Sequence, residues 1–362
     1  MKSIIRKITK LVSLTLLTVS TYSIALFAEP LSIGLLLPSP IADVGWSKAL
    51  HDGVDVVKKK YGEDVKVSVI ENIQEGPDAD RIMNKMVGDG NKFLVLGSFG
   101  YMNGGLKLAK RNPDLSFVHA SGYKTAKNFS AFTAKYFEGS YLMGMAAAEL
   151  TKTKKLGVVA AFAIPELIST INGFALGARS IDPEIEIVVI WLNSWFDPAK
   201  AQDSAKVLIA QGADIIFSNG QDTPSVVSVC EQMGVYVYNL NSSMKKYAPK
   251  NYLGVLKTDW SPLFLSSVEA HLAGNFNGKY EWLGMKDSVV VVEDWSPDIS
   301  SEMMTKIKAT EAAIASGKKH VYAGPLFNQE GKQVIPAGEV LTDGAILGMN
   351  WHVQGVTSPI PK

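Results

Sequence analysis

The sequence predicts an α/β protein built as two Rossmann-like lobes with parallel sheets, joined by a multi-strand hinge. Short runs rich in Val and Ile alternate with amphipathic stretches of about ten to fifteen residues, the pattern of βαβ units around a parallel sheet. The chain has 362 residues, more than one ordinary core accommodates. The alternating series also runs twice: Asn72 falls on Asn193 and Pro77 on Pro198, an offset of 121 residues that lays FLVL on DIIF and FVHASG on YNLNSS. A repeat this long is not a solenoid and describes two similar lobes.

In chain order, LSIGLLL, KVSVI, KFLVLG and LSFVHA read as strands of the first lobe, with helices WSKALHDGVDVVKKK, PDADRIMNKMVGDG and NGGLKLAKR between them. The second series has strands KKLGVVAAF, EIEIVVIWL, ADIIFSNG and GVYVYNL, and helices PELISTINGFALGARS, DPAKAQDSAKVLIAQG and TPSVVSVCEQMG. Asp197 before Pro198 is a helix N-cap with proline in the first turn, a structural role that competes with any functional one. FTAKYF (132–137) and YLGVLKTDW (252–260) are candidate crossings between lobes. SPLFLSSVEAHLAGNF is a helix returning to lobe one, while SVVVVEDW and ISSEMMTKIKATEAAIASG belong to lobe two. From GPLFN to HVQGV the tail reads as a hairpin and a short helix packed outside. The expected lobes are therefore 29–136 with about 258–280, and 137–257 with about 281–356. Two lobes joined by several extended segments can hinge around a cleft, which suits capture of a small molecule.

MKSIIRKITK carries four positive charges and no acid, and eighteen mostly apolar residues follow, LVSLTLLTVSTYSIALFA. This reads as a signal peptide (1–28) cleaved after Ala25 or Ala28. An uncleaved anchor is the alternative, marginal for a span of that length. Cleavage removes Lys2, Arg6, Lys7 and Lys10, taking the formal charge from +1 to −3. With 36 basic and 35 acidic residues there is no bias toward nucleic acid. The single cysteine, Cys230, rules out an internal disulfide, sits on an apolar helical face as a core thiol, and lies too far along to be lipidated at the cleavage site. A freely soluble periplasmic protein of a Gram-negative cell fits these features.

No phosphate-binding loop, dinucleotide fingerprint or nucleophile elbow occurs, and the five histidines show no metal spacing. The informative segments are loops after the strands, because open α/β sheets bind ligands beyond the carboxyl ends of their strands. The first such loop carries Asp43, Trp46 and Ser47, and the third Ser98, Phe99 and Tyr101. In lobe two, NSWFD holds Trp195 and Phe196, SNGQDT holds Asn219, Gln221 and Asp222, and VYNLN ends at Asn239 and Asn241. Under the 121-residue offset Trp195 and Phe196 fall on Gln74 and Glu75, while Phe99 and Tyr101 fall on Gly220 and Asp222. Each lobe thus places rings where its twin is polar, an arrangement suited to a flat ligand stacked between rings and hydrogen-bonded at its edges. The competing reading is that Trp195 and Phe196 cap their own core and Trp46 staples its helix. Lys257 has the reach for a ligand oxygen; pairing with Asp259 or plain exposure serves equally.

At these loops the chain resembles the basic membrane protein family of ABC-transporter substrate-binding proteins, which includes bacterial purine nucleoside receptors. The resemblance runs from about Leu31 to Val356 and rests on DVGWSKA, FTAKYFEGSYLMGMAAA, WLNSWFDPAKAQDSAKVLIAQGADIIFSNG, GVLKTD and NWHVQGV. It implies a periplasmic-binding-protein type I fold that closes on a ligand and delivers it to an inner-membrane permease driven by a separate ATPase. It further implies a purine ring stacked between Trp46 and Trp195 with Phe99 and Phe196 nearby, base-edge contacts from Ser47, Ser98 and Asn219 or Asp222, and a role for Lys257. Where nucleoside-binding members present an acid toward the ribose, this chain has Asn241, and the acidic cluster of the first loop is reduced to Asp43. Amides accept from a vicinal diol less well than carboxylates, so a free base becomes at least as good a candidate as a nucleoside.

The expectation is a monomeric binding protein for a purine base or nucleoside, without catalysis, cofactor, metal or nucleic-acid partner. The alternatives are a flavin or other heteroaromatic ligand, a sensor subunit docking on a receptor kinase, and a periplasmic nucleoside-processing enzyme using Asp43 and Asp222.

Overall fold

The computed structural model describes residues 29–41 and 44–361. The expected signal peptide and the candidate Asp43 lie outside the described residues.

The chain opens with β1 (Leu31–Leu36), α1 (Gly45–Tyr61), β2 (Val65–Ile70), α2 (Pro77–Gly88), β3 (Phe93–Leu96), α3 (Met102–Arg111), β4 (Ser116–Ala120) and β5 (Phe129–Ala134). The second series is α4 (Tyr136–Leu150), β6 (Lys155–Ala160), α5 (Pro165–Arg179), β7 (Glu186–Trp191), α6 (Pro198–Ala210), β8 (Ile215–Asn219), α7 (Ser225–Met233), β9 (Tyr236–Asn241) and β10 (Tyr252–Thr258). Then come α8 (Ser261–Leu272), β11 (Tyr280–Leu283), β12 (Val290–Glu293), α9 (Ser301–Ala315), β13 (Leu326–Phe327), β14 (Gln333–Ile335) and α10 (Asp343–Leu347).

Lobe one is a six-stranded sheet in the order β11-β5-β4-β3-β1-β2, and lobe two repeats it as β12-β10-β9-β8-β6-β7. Every pair is parallel except β10 with β12. Strands such as β3 and β8 are buried along their whole length, because helices cover both faces of each sheet, and this is why they read as unbroken apolar runs. The internal repeat is carried into backbone geometry. Asn72 and Asn193 both turn with positive φ, 61° and 53°, two residues past β2 and β7, and Pro77 and Pro198 open the equivalent helices α2 and α6. Asp197 caps α6 as expected, its carboxylate accepting from the Lys200 amide at 3.0 Å.

The chain passes between lobes at three places: Lys135, the Asp259–Trp260 pair, and the turn from Gly284 to Val289. FTAKYF, expected as one crossing strand, divides into the end of β5 and the start of α4. β11 joins lobe one, so the last return comes after Leu283. One helix was absent from the sequence expectation. α4 is buried on nearly every side, from Tyr136 through Ala147, and so shows no polar face for periodicity to detect. It lies in backbone contact with α5: a Cβ on Gly177 would stand 1.9 Å from the Tyr141 carbonyl oxygen, and one on Gly144 2.1 Å from that of Phe174.

A continuous core runs through both lobes by way of α4 and the crossing residues, with Phe132 against Trp260 at 4.7 Å and Phe137 against Trp282 at 5.8 Å. The tail forms the expected hairpin and short helix on lobe two. His352 stacks on Trp191, and Asn172 of α5 binds the Trp351 carbonyl and the Val353 amide. Burial lowers the His352 pKa to about 4. Cys230 is buried in α7, and burial pushes its thiol up. Among the described residues no helix is long and apolar enough to cross a membrane.

Candidate functional site

A cavity lies between the lobes, beyond the carboxyl ends of both sheets. Lobe one supplies Pro38, Trp46, Ser98, Phe99 and Ser121; lobe two supplies Glu166, Leu167, Thr170, Trp195, Gly220, Asp222, Leu240 and Asn241; Tyr136 enters at the first crossing. Most of these groups follow a strand end or start the next helix; Leu240 and Asn241 close β9 itself, and Thr170 lies in the second turn of α5.

Trp46 is held by its indole N–H donating to the Gly97 carbonyl at 2.7 Å and by the edge of Trp260, 6.0 Å away at 82°. Trp195 leans on Phe162, with ring centroids 4.9 Å apart, and its indole N–H reaches Glu75 across the cleft at 3.3 Å. Glu75 also accepts from the Ser98 hydroxyl and from the Gly100 amide at 2.8 Å. The loop of lobe one that aligns with NSWFD thus supplies the carboxylate that Trp195 meets.

Asp222 joins the lobes. Its carboxylate accepts from the hydroxyl of Ser39, the amide of Trp46, and the amide and hydroxyl of Ser47, the last two at 3.2 and 3.3 Å. Ser242 accepts from the Gly45 amide at 2.6 Å. Val44, at the N-cap position of α1, provides no side-chain cap. The first three N–H groups of α1 are therefore satisfied from the opposite lobe, and the carboxylate faces the positive end of the helix. Burial raises the Asp222 pKa, and the hydrogen bonds of Ser39, Trp46 and Ser47 oppose that shift.

Glu166, the second residue of α5, lines this cavity and a neighbouring one formed with Tyr280, Trp282, Ile346 and Leu347. The hydroxyls of Ser121 (3.2 Å) and Thr133 donate to its two oxygens. Desolvation raises its pKa to about 8, the Ser121 hydroxyl acting the other way. Asn241 takes a positive φ of 72° and accepts from the Tyr136 hydroxyl at 3.1 Å.

Of the residues singled out in the sequence, Trp46, Ser98, Phe99, Trp195, Asp222 and Asn241 come together around the cavity. Seven others do not line it, among them Gln221, which donates to the Ser194 carbonyl, and Asn239, which donates to the carbonyls of Leu240 and Ser242. Tyr101 is fully buried in lobe one, its hydroxyl donating to the Ile73 carbonyl at 2.5 Å. Ser47 lies behind the wall, bonded to Ser39 and Asp222. Asn219 ends β8 inside lobe two and donates to the Leu167 carbonyl at 3.3 Å, fixing the start of α5. Phe196 is half-buried beside Ser194. Lys257 pairs with Glu293 across β10 and β12 at 3.2 Å, on the surface, and not with Asp259.

Glu166, Thr170, Ser121 and Tyr136 were missed. Glu166 and Thr170 belong to the loop and helix after β6, the one strand-end loop of lobe two passed over in favour of those richer in rings and amides; applying the strand-end rule to FAIPEL finds them. Among the described residues His51, Asp52 and Asp55 also lie close together, on the outer face of α1, where Lys48 and His51 pair with the two acids.

Two parallel-sheet lobes enclose an aromatic-walled cavity at the carboxyl ends of their strands, the architecture of proteins that close on a small solute. Residues 31–323 match the Bmp family, described as ABC transporter substrate-binding protein PnrA-like, and the chain belongs to that family. It is 36% identical over 334 residues to a purine-binding protein of Brucella abortus, covering 92% of this chain and 95% of the relative. It is 32% identical to a putative ABC transporter glucose-binding protein of Haloferax volcanii, over 90% of this chain and 80% of that one. The fold is that of a crystallised ABC solute-binding protein from Aeropyrum pernix, with TM-score 0.70, 17% identity, and coverage of 80% of this chain and 92% of the other. These comparisons agree with the type I periplasmic-binding fold and the family resemblance expected from the sequence.

Proposed function

We propose that the protein captures a purine base or purine nucleoside between its lobes and hands it to the permease of an ABC importer outside the cytoplasm, after removal of residues 1–28. The observation that carries this reading is the cavity walled by Trp46 and Phe99 from one lobe and Trp195 from the other, with polar groups at the rims. Flat faces and polar edges are what a heteroaromatic bicycle requires. The Brucella relative supports the same ligand class. A free base is favoured over a nucleoside, because Asn241 replaces an acid and Asp222 is already committed to α1. Affinity in the micromolar range or tighter, about 8 kcal/mol, is within reach of one buried bicycle with a few hydrogen bonds.

The test is a thermal-shift and calorimetric screen of purine bases, nucleosides, riboflavin and glucose. Purines should raise the melting temperature by mass action. The Haloferax relative makes glucose the informative competitor. A shift with glucose or riboflavin and none with any purine would overturn the assignment, and turnover of adenosine or inosine would replace binding by catalysis.

A further inference from the structure

Two carboxyl groups line the cavity, Glu166 and Asp222, and a third, Glu75, stands behind Trp195 at its edge; Asp222 and Glu75 are already committed. Asp222 accepts four hydrogen bonds from Ser39, Trp46 and Ser47, and Glu75 accepts three from Ser98, Gly100 and Trp195. Glu166 accepts only two, from hydroxyls that rotate freely between giving and taking. It is also the only one of the three whose residue borders both cavities. Among the described residues no basic side chain acts on it; the titratable groups facing it are Tyr136 at the crossing and Tyr280 on β11, both of which burial keeps protonated far above neutrality.

We propose that Glu166 reads the purine edge as a neutral carboxyl group, donating to a ring acceptor and accepting from the adjacent N–H. The inference rests on the purine reading above and narrows its ligand class. A neutral carboxyl presents one donor and one acceptor side by side, whereas a carboxylate presents acceptors only. The first matches adenine, with a ring nitrogen beside an amino group, and hypoxanthine, with a carbonyl beside a ring N–H. The second matches the two adjacent donors of guanine. Burial without a counter-charge favours the neutral form, consistent with the pKa of about 8. Because the ligand then binds only the protonated protein, affinity is full below that pKa and declines above it.

Calorimetric titration of adenine into the wild type, Glu166→Gln and Glu166→Ala between about pH 6.5 and 9 tests the assignment. Wild-type affinity should hold at the acid end and fall toward about tenfold per pH unit above the pKa. Glu166→Gln keeps a donor and an acceptor, so it should bind within about threefold of wild type at pH 6.5 and show no pH dependence. Glu166→Ala should be weaker by about tenfold or more throughout. Wild-type affinity that is flat or rises with pH, or a Gln variant as weak as the Ala variant, overturns the neutral-carboxyl assignment and leaves the purine reading intact. Failure of the wild type to bind any purine overturns both. A second readout needs no ligand. The folded protein keeps a proton that the unfolded chain releases, so wild-type stability should fall relative to Glu166→Gln as pH rises from about 4.5 to 8; parallel melting curves sink the proposal.

Discussion

At the scale of single residues, the structure separates side chains that face the cavity between the lobes from those that hold them. Trp195 lies on a loop, half-buried, and outside the apolar cores. Trp195→Ala should therefore weaken purine binding by at least about thirtyfold, ~2 kcal/mol, while the unliganded melt stays nearly unchanged. A large loss of stability in the free protein would instead make it a core residue. Two buried histidines behave differently. Burial lowers the pKa of both His119 and His352 to about 4. Their folded forms resist protonation, so the stability they contribute is complete above the unfolded value of about 6.5 and is lost as pH falls toward 4, by up to about 3 kcal/mol each. His352→Gln should flatten part of that decline in an acid melting series; an unchanged slope would rule out His352 as a source of it. In the sequence, Tyr101 was indistinguishable from a ligand-facing group, because burial is a property of neighbours that come from other parts of the chain.

At the scale of elements, the N-terminus of α1 is the feature with the most consequence. Its amides at Gly45, Trp46 and Ser47 find their acceptors on the opposite lobe, in Ser242 and Asp222. Opening the cleft exchanges these contacts for water, so the helix end contributes to closure. Asp222→Ala should weaken ligand binding about tenfold, ~1.4 kcal/mol, by removing a cap and a charge that exist only in the closed form. Equal affinity in the variant would show that the contact is incidental to closure. The α4–α5 pair makes a second element-scale prediction. Gly177→Ala places a methyl 1.9 Å from the Tyr141 carbonyl oxygen, and backbone cannot yield as a flexible side chain can. Denaturant unfolding should show a loss of at least about 2 kcal/mol. Most elements were legible from periodicity, including the caps and the proline starts of α2 and α6. α4 was not, because a helix buried all round has no alternation to read.

For the whole molecule, three crossings and a core shared through α4 connect two lobes with the same strand order. The cleft contacts, Asp222 with α1, Glu166 with Ser121 and Thr133, and Trp195 with Glu75, are all between lobes. They break together if the lobes rotate apart about the crossings. Small-angle scattering should accordingly report a smaller radius of gyration with a purine than without one, and a larger one for Asp222→Ala in its absence. Identical curves with and without a ligand that binds would exclude hinge closure.

The amino-acid order alone determined the α/β class, the duplicated lobes, the strand-end loops that surround the cavity between them, and the aromatic residues Trp46, Phe99 and Trp195 that line it. Those are local patterns, set by side-chain periodicity and by turn chemistry within a few residues. Only the tertiary structure decided that Asp222 caps a helix of the other lobe, that Tyr101, Asn219 and Lys257 turn away from the cavity, and that Glu166 enters it with hydrogen-bonding capacity to spare. Each of those outcomes depends on partners about 30 to 180 residues distant in the chain, and no local pattern encodes which distant groups will share a desolvated space.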